Sequence, residues 1–121
     1  MVLNKLCGIE KNPYPLELTE LSDPAPTAEE ILVKVTACNV CHTELNEIES
    51  RTPPLHLPVV SGHQVVVRVE AVSSRANSFS IRDWVCTAWI YSTRGTFNFC
   101  LAGTENLCLY FKTSGKDADG G

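Results

Sequence analysis

The chain has 121 residues and a mass of 13.3 kDa, with 10 Lys and Arg against 14 Asp and Glu for a formal charge of −4. That length holds one domain, and 44% hydrophobic against 20% charged residues excludes a disordered chain. A mildly acidic surface without a Lys/Arg cluster excludes a nucleic-acid partner, and the lack of a long apolar run predicts neither membrane span nor signal peptide, hence a cytoplasmic location.

The first expected strand is 16–21, where Leu16, Leu18 and Leu21 alternate with Glu17 and Glu20. Pro24 and Pro26 break the chain, and Thr27 followed by Glu29 and Glu30 reads as a short turn. Segment 31–38 is rich in β-branched residues, with Ile31, Val33 and Val35 on one face of a second strand. The stretch 40–49 has no Gly or Pro and sets Leu45 and Ile48 at helical offsets from Cys41, which predicts a short helix ended by Pro53 and Pro54.

An extended run 58–63 closes in a turn at Gly62, and 65–72 is the clearest strand, with Val65, Val67, Val69 and Ala71 on one face. A polar loop, 73–80, leads into an expected strand over 81–90. Regularity falls away after Tyr91. The sum is a mostly β (α+β) chain: a partly open β-barrel with one short helix and an irregular lobe. No internal repeat is visible, and no G-x-G-x-x-G follows a strand, so no nucleotide-binding half is expected within these residues.

Six cysteines without an export signal read as thiols or metal ligands rather than as a disulfide framework. Cys7 and Cys86, beside Leu6 and Val85, read as buried inert thiols. Cys41 and His63 each stand at a junction between strand and turn. Thiolate and imidazole suit Zn²⁺, although a catalytic site uses three protein ligands and these are two. A packed thiol beside a turn histidine is the plainer alternative, and a Cys38-x-x-Cys41 redox pair is another, without the βαβ context of such motifs.

Residue order carries a more specific signal. Val35-Thr36-Ala37-Cys38-Asn39-Val40-Cys41-His42-Thr43-Glu44-Leu45, then Pro58-Val59-Val60-Ser61-Gly62-His63-Gln64, then Ser80-Ile81-Arg82-Asp83-Trp84-Val85, then Trp89-Ile90-Tyr91, then Cys100 to Cys108 stand in the order and spacing of one family. From about Leu16 to Gly121 the chain resembles the N-terminal catalytic domain of the zinc-dependent alcohol dehydrogenases of the medium-chain family. The resemblance implies a GroES-like, partly open barrel over 1–121, followed in the family by a Rossmann domain that binds NAD(P). It implies that Cys41 and His63 are two of the three catalytic zinc ligands, and that Thr43 relays the alcohol proton. A helix-face hydroxyl bonded to a carbonyl is the alternative for Thr43. Glu44, where the family usually has Asp, and Gln64, where most members have Glu, would flank the metal. Trp89 matches a position lining the substrate pocket, with a core tryptophan as the alternative.

The sequence also departs from the family. The structural-zinc pattern C-x-x-C-x-x-C-x7-C retains Cys100 and Cys108 but has Arg94 and Phe97 in its first two places. Two thiolates do not close a tetrahedral shell, so that site is expected to be empty and the lobe 93–112 loose. Asn39, Val67, Ser73, Arg75 and Arg82 stand where the family usually has Gly, which predicts strain at each. The third ligand and the cofactor domain lie outside these residues. The chain alone is therefore expected to be inactive on the family's alcohols and aldehydes, binding no NAD(P) itself. A non-catalytic zinc-binding or interaction module is the alternative, prone to self-association through exposed strand edges.

Overall fold

A computed structural model describes all 121 residues. Three small antiparallel sheets carry the fold. In the first, β1 (Val2–Leu3) lies between β2 (Leu16–Glu17) and β4 (Val59–Val60). In the largest, β5 (Gln64–Val72) lies between β3 (Ile31–Asn39) and β6 (Trp84–Cys86). The third pairs β7 (Ile90–Ser92) with β8 (Lys112–Thr113). No sheet closes on itself, which leaves a partly open barrel of the expected class.

Alternation alone makes β5 the central strand: Val65, Val67 and Val69 are buried while Gln64, Val66, Arg68 and Glu70 face outward. The expected single face of β3 does not survive. Register shifts between Leu32 and Val33 and between Val35 and Ala37 interrupt the period, and Val35 is left exposed. The strand expected over 16–21 shrinks to Leu16–Glu17, because its partner β1 is only two residues long. Leu18 and Leu21 consequently lie outside any ladder, exposed.

The strand expected over 81–90 is two strands in two sheets. Arg82 turns the chain at φ 77°, β6 pairs with β5, and after Thr87 the backbone leaves for β7 and its pairing with β8. Cys86 is exposed and Cys7 half-buried, so neither is the buried thiol its neighbours suggested: β6 has one partner strand, and side chains alternate along it. Of the five positions where glycine was expected to matter, only Arg82 has positive φ; Val67 lies fully buried in mid-strand. The anticipated strain therefore reduces to that one residue, with Ser50 at φ 64° a second, unforeseen case.

The helix α1 (His42–Ile48) is shorter than 40–49. Cys41 is its N-cap, with extended backbone at φ −118° and ψ −178°, so Val40 lies before the helix and outside it. Ser50, in left-handed conformation, ends it three residues before Pro53. The lobe is also less irregular than expected: a second helix, α2 (Asn98–Leu101), and a 3₁₀ turn (Glu105–Leu107) stand within it.

Leu3, Ile48 and Val59 form a buried cluster against which Leu6 and Leu16 pack, joining α1 to the first sheet. The C-terminal residues lock onto the same place. Gly120 N–H donates to Val60 O at 2.8 Å, Val60 N–H donates to Asp119 Oδ1 at 2.8 Å, and any Cβ on Gly120 would run into Gly62 O. This close approach fixes the turn that precedes His63. Total accessible surface is 8369 Å², well above the roughly 6,500 Å² expected of a compact monomer of this mass. Trp84, Trp89, Val66 and Val35 are among the large side chains left exposed.

Candidate metal centre

Two junctions meet in space. Cys41 ends the β3-to-α1 connection, and His63 immediately precedes β5. Their donor atoms, Cys41 Sγ and His63 Nε2, are 3.5 Å apart. Bonds of about 2.3 Å to sulfur and about 2.0 Å to nitrogen at a tetrahedral angle set such atoms about 3.5 Å apart, so the pair fits two corners of one zinc shell.

Glu44 completes the arrangement. It sits in the first turn of α1, 5% exposed, and its Oε2 accepts the Cys41 backbone N–H at 2.8 Å as half of a capping box. Its Oε1 lies 2.7 Å from His63 Nδ1. That oxygen is buried and accepts no hydrogen bond of its own, so Glu44 meets the imidazole edge as a close carboxylate while Nε2 faces Cys41 Sγ. A histidine held by a carboxylate behind it and open to a metal in front is how metal-binding imidazoles are oriented. Cys41, Glu44 and His63 offer donor atoms all within 4.8 Å of one another.

The other expected residues distribute unevenly. Thr43 is half-buried at the start of α1, and its N–H donates to Cys41 Sγ at 3.3 Å, so the residue stands directly beside the sulfur. Gln64 is exposed and accepts from Asn39 Nδ2 at 3.1 Å, with no hydrogen bond to Cys41 or His63. Trp89 packs edge-on against Phe111, centroids 5.3 Å apart, each one residue before a strand of the third sheet. Cys38 has its sulfur packed against Gly62, and burial, then the Glu44 charge, pushes its thiol pKa up. That is opposite to what a reactive member of a dithiol pair needs.

Cys100 and Cys108 lie apart from this centre, in the lobe. There Arg94 and Phe97 take part in a stack: the Phe97 and Tyr110 rings lie 5.3 Å apart at 25°, with the Arg94 guanidinium 4.9 Å from the Tyr110 centroid and 5.6 Å from that of Phe97. Cys108, in the same lobe, is 1% exposed. A guanidinium beside two thiols opposes a second cation, so this donor set does not fit a tetrahedral metal.

Two residues escaped the sequence reading. Thr87 Oγ1 donates to His63 O at 3.3 Å and ties the end of β6 to the centre. Glu47, one turn beyond Glu44, is 2% exposed with Oε1 unpartnered, and burial, then the Glu44 charge, raises its pKa from 4.5 to about 7. Its spacing from Glu44 and its place before buried Ile48 was the available signal.

The alcohol dehydrogenase GroES-like domain family matches residues 27–121. An alcohol dehydrogenase of Geobacillus stearothermophilus is 34% identical over 118 residues, 97% of this chain and 35% of the relative. An acryloyl-coenzyme A reductase of Sulfurisphaera tokodaii is 30% identical over 110 residues, 91% of this chain and 32% of the relative. The crystal structure of an NAD-dependent alcohol dehydrogenase superposes with a TM-score of 0.87 at 28% identity, covering 98% of this chain and 34% of that one. The chain thus spans about a third of the length of these relatives. Matched over more than half its length, with the pair Cys41 and His63 set at the expected junctions, the chain belongs to the alcohol dehydrogenase GroES-like domain family.

Proposed function

We propose that this chain is the metal-holding part of a zinc-dependent alcohol dehydrogenase, with Cys41 and His63 as two of the zinc ligands. The supporting observation is the 3.5 Å approach of Cys41 Sγ to His63 Nε2 with Glu44 behind the imidazole. Zinc bound there supplies Lewis-acid polarisation of an alcohol or aldehyde oxygen, which favours hydride exchange with a nicotinamide. The chain's own groups do the rest. Cys41, as a thiolate at a helix N-terminus with the Thr43 N–H donated to its sulfur, is a charged ligand held in place. Glu44 sets a carboxylate 2.7 Å behind the His63 ring, on the side away from the metal position. The Thr43 hydroxyl, at the start of the same helix, accepts the alcohol proton and hands it outward.

The nicotinamide site and the remaining protein ligand belong to the part of the relatives' length that this chain does not span. Zinc binding and catalysis therefore separate experimentally. The purified chain is expected to bind zinc and to give no alcohol-dependent reduction of NAD or NADP. No zinc binding overturns the site, and turnover by the chain alone overturns the division of labour. A second reading, an interaction module on the same barrel, draws on the surface left exposed beyond that of a compact monomer. Stability unaffected by a chelator, together with a concentration-dependent mass, would favour it.

A further inference from the structure

Three residues, Ser61, Gly62 and His63, link β4 to β5, and the course of that link decides where the imidazole stands. After His63 it is tied to β6: Thr87 Oγ1 donates to His63 O at 3.3 Å, and Thr87 N–H to Val65 O at 3.0 Å. Before His63 it is held by residues 113–120. Asp117 Oδ2 accepts both the N–H and the Oγ1–H of Thr113 at 2.9 Å, and Gly115 N–H donates to Ala118 O at 2.8 Å, which closes this segment into a turn. The turn takes both backbone polar groups of Val60, one through Asp119 Oδ1 and one through the Gly120 N–H. It also presses on the next peptide: a Cβ on Gly115 would stand 2.7 Å from Gly62 N and O, and one on Gly120 would run into Gly62 O. Gly62 itself, at φ 120°, runs so close to Cys38 that a Cβ there would stand 2.8 Å from its sulfur. The peptide before His63 is therefore packed against the turn and against Cys38, with glycine at each of these close approaches.

We propose that Asp119 and Gly120 are positioning residues of the metal centre: they clamp residues 60–62 so that His63 Nε2 is set 3.5 Å from Cys41 Sγ before a metal arrives. The proposal rests on the reading of Cys41 and His63 as zinc ligands. Pairing with β1 holds β4, and pairing with β3 and β6 holds β5, so neither strand needs the turn to stay in its sheet. What the turn adds is the course of the link between the two sheets. Two donors on separate elements that already stand in place lose little freedom when they close on an ion. A mobile His63 would lose more, and the difference is read as metal affinity. The bond from Val60 needs an acceptor at the Asp119 Oδ1 position rather than a negative charge, because its donor is a neutral amide. Asparagine supplies that acceptor, and alanine does not.

The test is the zinc affinity of the full purified chain, measured by competition with a chelator, beside the thermal midpoint of the zinc-free protein. Gly120→Ala should weaken zinc binding about tenfold, since the turn must leave Gly62. Asp119→Ala should weaken it about three- to tenfold, the worth of one hydrogen bond. Asp119→Asn should stay within about twofold of the parent. Should Gly120→Ala fail to fold, the two Asp119 variants carry the test. Parental affinity in the folded Asp119→Ala and Gly120→Ala chains, with only the midpoint lowered, overturns the proposal. So does Asp119→Asn binding zinc as weakly as Asp119→Ala. A parent chain that binds no zinc overturns the ligand reading instead, and the clamp is then read from the His63 ring resonances of the zinc-free chain. A shift in Asp119→Ala that Asp119→Asn restores supports it, and unmoved resonances overturn it.

Discussion

The barrel and the lobe hold their cysteines in different surroundings. Around Cys41 and His63 the donors remain in metal-binding geometry, with Glu44 braced behind the histidine. In the lobe that carries Cys100 and Cys108, Arg94, Phe97 and Tyr110 form an aromatic and guanidinium stack. A structural metal chiefly ties chain segments together, which apolar and cation–π contacts can also do. Lewis acidity has no such substitute, so on the proposed reading a donor pair in the barrel is indispensable, whereas a lobe held by apolar and cation–π contacts needs no metal.

The largest effect that can break this contrast is metal loss. The double variant Cys41→Ser, His63→Ala should lose zinc affinity entirely by isothermal titration; retained affinity would place the metal elsewhere. Glu44→Gln, which keeps shape but removes the charge facing Nδ1, should weaken zinc binding about 10–100-fold. Unchanged affinity would reduce Glu44 to a helix cap.

Glu47 sharpens the barrel side. Its folded-state pKa of about 7 lies above the ordinary 4.5, so above pH 4.5 the unfolded chain releases a proton that the folded chain keeps. Stability should fall as pH rises from about 4.5 to about 7 and then level off. Urea midpoints at pH 5 and pH 8 should differ less in Glu47→Gln than in the parent, and an equal difference would mean that Glu47 is not buried in solution. The smallest effect belongs to the lobe: Arg94→Leu should destabilise it locally by about 0.5–1 kcal/mol, since the guanidinium is exposed. Faster hydrogen exchange of the 105–111 amides would register this, and unchanged exchange would show that the stack does not hold the lobe.

Much of this was legible from residue order, and the failures share a cause. β5 reads directly because both its neighbours are present and its alternation is uninterrupted. The runs 16–21 and 81–90 mislead because alternation reports a willingness to pair, while strand length depends on the partner: β1 is short, and β6 and β7 turn to different sheets. The missing glycines overstated strain because four of those five positions adopt ordinary φ. At the centre, Cys41 and His63 were found by motif. That Cys41 also caps α1, and that Glu44 reaches both Cys41 and His63, needed coordinates. Glu47 was missed because carboxylates are ordinarily exposed, which outweighed its spacing from Glu44 and its place before Ile48.

The central claim is that the barrel holds metal and the lobe does not. Elemental analysis of zinc in three purified proteins tests it: the parent chain, Cys41→Ser with His63→Ala, and Cys100→Ser with Cys108→Ser. The account predicts equal zinc in the parent and the lobe variant and none in the barrel variant. Zinc retained in the barrel variant and lost from the lobe variant would contradict it.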